Sequence, residues 1–559
     1  MPDATPAPSK AAPQQPAPQQ PAAPQGPRLA APMPVSMVTA ARSVTNTYDE
    51  LPYDSNPFAQ THPSRLATVA TLFGLSPAPV EKCRVLELGC AAGGNLTPLA
   101  EMYPESEFVG VDLSLRQITD GQQVIQAAGL KNIQLKHASI LDIDESYGTF
   151  DYIICHGVFS WVPDVVRQKI LSVCSTNMNP TGIAYVSYNT YPGWHMRGMI
   201  RDMMRFHSGR FDTAQQKVEQ ARALLDFLAQ SAKDDTGPYG TLLRQELEGL
   251  RHQSDNYLYH DHLEEVNDPV YFHQFIEMAH KHNVRYLGEA RLPTMVTMNF
   301  SPDVRKAIAA VATDQVQIEQ YLDFVRNRTF RETLLVRPAM NPNWAIRPEA
   351  IRKLHITLPR RPGDEAVDVK STTASAQYTT TTGMTLTTTN PVLKAAMRIL
   401  GQKWPGTVSF ADLDKGILEL LEMKSDEGQQ LAVTLLNTYL SSNLMEFHST
   451  PIATVHAKER PLALSVARAR LEVGQTGVAT RRHEFFRTND LDKRVIPMLD
   501  GTRDRDMLLD KLVQLSVVGE LQVNKDGQRV TDPTALRAAL APAVENALER
   551  YATSCLLKE

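Results

Sequence analysis

Residues 84–88, Arg-Val-Leu-Glu-Leu, run straight into Gly89-Cys-Ala-Ala-Gly93-Gly94-Asn95, and from there the chain repeats one unit of apolar run, turn and amphipathic stretch. The first unit reads as a strand at 84–88 with a helix opening over 95–101. In the second, strand 107–112 (Glu-Phe-Val-Gly-Val-Asp) leads to Ser114 as N-cap of a helix that runs to Ala128, and Gly129 stops it. Further strands are expected at 133–137, 150–156 and 182–188, with a helix at about 164–177 between the last two. Strands that alternate with helices lie parallel, because each helix carries the chain back across the sheet. Helices then cover both faces, and ligands meet the carboxyl ends of the strands. The expected class is α/β.

The continuation is less regular. Helix-rich stretches at about 194–251 and 302–327 flank a helix at 271–283 and a strand at 284–290, and 331–338 reads as one more strand. If these two strands finish the first sheet as an antiparallel pair, the helical stretches are insertions, at about 194–268 and 302–327, into one domain of about 41–340, and they roof the strand ends. Residues 1–40, mostly Pro, Ala and Gln, lack the apolar bulk for a core and read as a mobile tail. A connector at 341–390 carries the Thr-rich run 379–389 about Gly383, which suits a hairpin or a flexible linker. The last unit, 391–559, is mainly helical, and an amphipathic helix followed by two short strands turning at Asp526-Gly527 suggests a winged helix.

Chemistry concentrates behind the first strand. Glycines there let a ligand approach the backbone, and Asp112, ending the second strand 25 residues after Glu87, can accept both hydroxyls of a ribose. A nucleoside-bearing cofactor is expected. A dinucleotide fold needs G-x-G-x-x-G, whereas here Ala91 holds the middle position and Glu87 stands two residues ahead of the first Gly. A carboxylate at that place repels phosphate and suits an ammonium or sulfonium group.

This pattern resembles motif I of the class I S-adenosyl-L-methionine-dependent methyltransferases, E/D-x-G-x-G-x-G, with Ala91 replacing the middle Gly. The resemblance implies a Rossmann-like seven-stranded sheet with S-adenosyl-L-methionine as cofactor. It sets Gly89, Cys90 and Gly93 along the methionine part, Glu87 acting through the loop or a water, and Asp112 with Leu113 at ribose and adenine. Ser139 and Ile140 fall where the family places an acid and its neighbour against adenine; Ser139 lacks the carboxylate, which shifts selection onto the Ile140 N–H. Longer stretches are similar to bacterial methyltransferases with a methyltransferase regulatory domain, a group that includes protein-lysine methyltransferases: 48–58 (Tyr-Asp-Glu-Leu-Pro-Tyr-Asp-Ser-Asn-Pro-Phe), 156–162 (His-Gly-Val-Phe-Ser-Trp-Val), 188–194 (Tyr-Asn-Thr-Tyr-Pro-Gly-Trp) and 326–331 (Arg-Asn-Arg-Thr-Phe-Arg). This implies N-methylation of protein lysine by in-line transfer. Small-molecule N- or O-methylation, and a non-catalytic binding or assembly protein on the same fold, are the alternatives.

A sulfonium methyl already has a good leaving group, so the protein has chiefly to align the nucleophile and exclude water. An ordinary lysine is neutral in only about one molecule in 10³ at pH 7, a cost of roughly 4.6 kcal/mol that desolvation under aromatic side chains reduces. The tips of the fourth and fifth strands supply His156, Trp161, Tyr188, Asn189 and Tyr191 as candidate catalytic residues, with Phe159 and Trp194 beside them. Aromatic faces hold a cationic amine, Asn189 accepts its N–H groups, and His156 would serve an oxygen nucleophile as general base. Packing of the insertions on the sheet explains the same residues without catalysis. Segment 48–58 reads equally as a lid over the cofactor or as an N-terminal strap.

Lys and Arg number 57 against 62 Asp and Glu, a formal charge of −5, so no global basic field advertises nucleic acid or membrane. In the last unit Arg481, Arg482, Arg487 and Lys493 are countered by Asp490, Asp492, Asp500 and Asp504, which suits a protein-docking or dimer-forming module better than a phosphate surface. The expected partner is a protein substrate, with no nucleic acid and no membrane insertion, and a homodimer stays open. Five Cys without CxxC spacing, and no apolar signal core, point to the cytoplasm. His252, His260, His262, His273, His280 and His282 lack Cys companions and a His-x₃-His helix pair, so no metal is expected.

Overall fold

The computed structural model describes residues 55–363, 367–424, 428–525 and 528–558. The tail at 1–40, the 48–54 part of the strap and the Asp526-Gly527 turn lie outside the described residues.

After α1 (Pro63–Leu72) the chain alternates as its sequence suggests: β1 (Arg84–Leu88), α2 (Leu96–Met102), β2 (Glu107–Asp112), α3 (Leu115–Ala128), β3 (Ile133–His137), β4 (Phe150–Cys155), α4 (Asp164–Thr176) and β5 (Met178–Asn189). The ends of α3 are set by local chemistry: Ser114 Oγ accepts the Gln117 N–H, and Gly129 takes φ +72 at the C-cap. Helices α5 (Trp194–Ser208), α6 (Ala214–Ser231) and α7 (Pro238–Arg251) pack around Ile200, Met204, Leu225 and Leu243 as a small core of their own. A π-helical turn, Leu258–Leu263, leads on to α8 (Phe272–Lys281) and β6 (Arg285–Glu289), then α9 (Pro302–Val311), α10 (Gln315–Arg326) and β7 (Phe330–Val336).

The strands form one seven-stranded sheet in the order β3-β2-β1-β4-β5-β7-β6, with β7 antiparallel to both neighbours. This is the Rossmann-like methyltransferase arrangement, and the two helical stretches interrupt it between β5 and β6 and between β6 and β7. Helices cover both faces, so Leu86 and Leu88 of β1 and Ile153 and Ile154 of β4 are wholly buried, and adjacent positions of these central strands are apolar on both faces. β5 opens at Met178 instead of 182, because Met178 pairs with Phe150 and a bulge restores register by Tyr152 opposite Ile183. Arg331 on β7 is also wholly buried. Its guanidinium meets Glu289 at 2.7 Å, Glu319 at 3.1 Å and Asp323 at 2.8 Å, and stands 3.7 Å over the Phe272 ring. A buried cation survives only with such partners, and this cluster ties β6, β7, α8 and α10 together.

Next come β8 (His355–Thr357), a hairpin of β9 (Ala376–Thr379) and β10 (Thr385–Thr388), α11 (Pro391–Lys403), β11 (Val408–Ser409), α12 (Phe410–Leu421), α13 (Gly428–Ser441) and β12 (Glu446–His448). Here the structure departs from a single unit at 391–559. β8 lies in the connector but takes β11 and β12 as its two partners, so the helices between them fold against the first domain. Leu393, Leu413, Leu435 and Phe447 accordingly share one apolar core with the large sheet.

A separate core, with Val495, Leu508, Leu512, Leu548 and Tyr551 at its centre, organises the C-terminal unit. That unit holds α14 (Ser465–Glu472), β13 (Gly477–Ala479), β14 (Phe485–Arg487), α15 (Asp490–Met498), α16 (Arg505–Val517), β15 (Asn524–Lys525), β16 (Gln528–Arg529) and α17 (Pro533–Thr553). Among the described residues no helix is long and apolar enough to cross a membrane.

Candidate active site

β1 delivers the chain to the loop 89–95, and the N–H groups of Gly89 and Cys90 both bond the Val111 carbonyl, at 2.8 and 3.1 Å, stitching the loop to the tip of β2. Gly89 and Gly93 have φ of +74 and +69. A Cβ at Gly89 would stand 2.5 Å from Val158 Cγ2, and one at Gly94 2.1 Å from the Ser55 carbonyl oxygen, so crowding as well as φ demands glycine. Ala91 keeps φ +48 where the family motif has Gly. That conformation costs a residue with a Cβ about 1 kcal/mol, and the bond from Ala91 N–H to Asp112 Oδ2 at 2.8 Å holds it there.

Asp112 also accepts the Ser114 N–H at 2.9 Å, so the carboxylate expected at the ribose is fixed by the loop it would serve. Leu113 beside it is 59 % exposed, an apolar side chain suited to a flat base. Ile140 opens the short 3₁₀ turn Ile140–Asp142. Ser139 caps that turn: its Oγ accepts the Leu141 N–H at 3.2 Å, and its own N–H donates to Asp142 at 3.1 Å. Cys90 turns its side chain beneath the loop against Gly110, where burial pushes the thiol well up.

Glu87 is 3 % exposed. Its Oε1 accepts from Asn95 Nδ2 at 2.8 Å, while Oε2 is buried without a partner. Burial pushes the carboxyl up to about 8, with Asn95 pulling it down and Asp112 raising it further. A buried, unmatched carboxylate oxygen beneath a glycine loop fits a cofactor that carries an ammonium group. Asn95, read from sequence only as the start of a helix, is the hub. Its Oδ1 accepts from the Phe58 N–H at 2.9 Å and from His483 Nε2 at 2.7 Å, and its Nδ2 also reaches Thr61 Oγ1 at 3.0 Å. Neither Phe58 nor His483 carries a local signal for this contact.

The expected catalytic residues divide. Tyr188 stands next to last in β5, but its side chain turns into the core: it is 1 % exposed, stacks on Phe275 at 4.1 Å and bonds Thr333 Oγ1 at 3.1 Å, on the face covered by α8. Strand alternation turns it away from Ser187 and Asn189, so it belongs to the core. Asn189 is held across the tip, its N–H on Ser160 Oγ at 2.9 Å and its Nδ2 on Asn267 Oδ1 at 3.0 Å. Tyr191 stacks on His195 at 4.1 Å with Tyr271 at 5.3 Å, and Trp161 meets Trp194 edge-on at 6.2 Å. His156 shares its Nδ1 with the Tyr185 hydroxyl at 2.9 Å and the Ser187 hydroxyl at 3.3 Å. Its ring lies 4.0 Å from Phe58 and 6.2 Å from Phe330. Burial, with Arg291 adding, pushes the imidazole down to about 3, which leaves it a very weak base.

Phe330 leads outward into a cleft of about 940 Å³, lined also by Arg291, Asn327, Thr329, Met384 and Tyr439, between the sheet's edge and the β8 layer. On the opposite side, Arg482 of the C-terminal unit is buried on Glu446 at 2.6 Å. No group of three or more His, Cys, Asp or Glu side chains among the described residues converges as a metal site.

A methyltransferase sheet, a glycine loop with an unmatched carboxylate below it, and an acid at the tip of β2 together define a class I S-adenosyl-L-methionine-dependent methyltransferase. Comparison with known proteins agrees. Family models match for a methyltransferase domain over 79–231, a predicted methyltransferase regulatory domain over 254–337, and a "PKMT, C-terminal winged helix domain" over 459–556. The uncharacterized protein RP789 of Rickettsia prowazekii is 38% identical over 523 residues, covering 92% of this chain and 94% of that one. RP028 of the same organism is 49% identical over 235 residues, 42% of this chain and 94% of its own. The solved structure of PKMT2 from Rickettsia typhi in complex with AdoHcy superposes with a TM-score of 0.81 at 34% identity, over 90% of this chain and all of that one. The chain belongs to this family of S-adenosyl-L-methionine-dependent methyltransferases with a regulatory domain and a PKMT-type winged helix.

Proposed function

We propose that this methyltransferase modifies lysine side chains of a protein substrate. The observation that carries the reading is the likeness, over 90% of the chain, to PKMT2, whose name marks a protein-lysine methyltransferase.

S-adenosyl-L-methionine, when bound, supplies a methyl group on a positively charged sulfur. The chain's residues do the rest. Gly89, Gly93 and the Cys90 backbone hold the methionine end, with Glu87 Oε2 toward its amine. Asp112 holds the ribose, and Leu113 and Ile140 flank the base. Asn189, Tyr191 and Trp161 crowd the incoming amine, and the removal of water around it favours the neutral, nucleophilic form. His156 positions Tyr185 and takes no proton. The geometry needs no strong base, because an amine becomes nucleophilic once it is desolvated and neutral.

The test is transfer of isotopically labelled methyl groups from S-adenosylmethionine into cell protein by the full chain, with the modified residues mapped by mass spectrometry. Label on lysine supports the proposal. Label confined to small metabolites supports the small-molecule alternative, and cofactor binding without transfer to any fraction supports a binding protein.

A further inference from the structure

We propose that the C-terminal winged-helix unit sets the affinity for the cofactor, with His483 as a positioning residue that acts on the glycine loop through Asn95. The inference concerns cofactor binding and is independent of which substrate receives the methyl group.

His483 lies in the turn between β13 and β14, a place where a hairpin tip would ordinarily meet solvent. Instead it is wholly buried, 388 residues away in sequence from the asparagine it contacts at 2.7 Å. The turn is rigid: the His483 N–H donates to the Thr480 carbonyl at 2.9 Å, and the Thr480 N–H to the Glu484 carbonyl at 3.0 Å. His483 itself takes φ +59.

The protonation of the ring follows from its neighbours. The Phe58 N–H can only donate, so it fixes which end of the Asn95 side chain is the oxygen, and the NH₂ end then faces Glu87 and Thr61. His483 must therefore donate through Nε2, which leaves Nδ1 bare; that nitrogen is buried with no partner. Burial pushes the imidazole down to about 3, consistent with a neutral ring. A bare buried nitrogen is a penalty that a Phe or Leu filling the same space would not carry. The hydrogen bond that the His483 ring does make lands on the residue that aims Glu87.

Two further contacts from the same unit converge there. Glu101, on the helix that leaves the glycine loop, receives the Ser465 and Val466 N–H groups of α14 at 2.7 and 2.9 Å. Arg470 of α14 bonds the Ser55 carbonyl at 2.6 Å, and Ser55 Oγ in turn accepts the Gly94 N–H at 2.8 Å. The unit thus grips the loop at Gly94, at Asn95 and along α2. Coupling of this kind is reciprocal: if the seated hairpin tightens cofactor binding, bound cofactor must hold the hairpin in place by the same factor.

The test uses the full chain and S-adenosylhomocysteine as the probe. By calorimetry, His483→Phe is expected to weaken binding about three- to tenfold, the effect of one lost hydrogen bond. His483→Gln, whose amide nitrogen can donate from the same place, is expected to restore most of it. Arg550→Met, which removes an ion pair to Asp492 elsewhere in the unit, serves as a control for general destabilisation and should leave the affinity unchanged. In the unaltered protein, hydrogen exchange at 480–484 should slow when S-adenosylhomocysteine saturates the site. This readout stands even if a variant fails to fold. Phe and Gln variants that bind alike, an Arg550→Met variant as weak as His483→Phe, or exchange at 480–484 indifferent to the ligand would each overturn the proposal.

Discussion

Burial gives Glu87 a charge state that its sequence neighbours do not advertise. With its carboxyl raised to about 8 by burial, the free protein holds it protonated at neutral pH. Drawing a cationic amine up to Oε2 favours the carboxylate, so cofactor binding releases a proton. Affinity should then rise as pH climbs toward about 8 and level off above it, and calorimetry in buffers of different ionisation heat should register the proton. The sign for folding is opposite: a raised acid stabilises the fold below its unfolded value of 4.5, and that contribution is lost as pH rises through about 8. Glu87→Gln should flatten both slopes. Tyr188→Phe should leave turnover unchanged and lower unfolding free energy by about 1 kcal/mol, the worth of its bond to Thr333, as read by urea denaturation. Sequence singled out the candidate cofactor residues because a glycine loop and a strand-end acid are local patterns. It could not assign Tyr188, because a sheet covered on both faces is apolar on both, and alternation alone does not reveal which parity faces the site.

Elements transmit what residues fix. α2 opens at the glycine loop and ends near Glu101, whose carboxylate caps the amino end of α14 with both oxygens, so one short helix joins the cofactor loop to the winged-helix unit. Glu101→Gln keeps the shape but loses the charge and one acceptor. It should cost about 1 kcal/mol of stability, measured by denaturant unfolding, in line with the loss of a helix cap. β1 to β4 and α3 stood almost where their sequences place them, since each strand carries a short stretch of buried apolar residues and α3 has a Ser cap at one end and a Gly stop at the other. The β8-β11-β12 sheet was not legible. Its strands, Val408–Ser409 among them, are too short to show a period, and they lie far apart along the chain, so the boundary at 391 came out as a connection within the first core. The His483 hairpin was equally silent, since nothing near it in sequence records a contact made across the molecule.

At the scale of the whole molecule, the cofactor loop is enclosed from several sides by segments distant in sequence. Phe58 and Ser55 cover it from the amino-terminal side, Val158 presses on Gly89 from the β4 tip, and the winged-helix unit packs Val466 and Ala469 against Val124 of α3. Arg482 extends this embrace by joining Glu446 of the β8 layer, which also holds Arg65 of α1 at 2.9 Å. The basic residue that sequence set on a surface is thereby an internal tie. These contacts converge on one cofactor site. The most direct measurement is an experimental structure of the full chain with S-adenosylhomocysteine. The ligand is expected over residues 89–94, with its ribose hydroxyls on Asp112 and its amine toward Glu87 Oε2. A ligand seated elsewhere, or one that leaves Asp112 and Glu87 untouched, would contradict it.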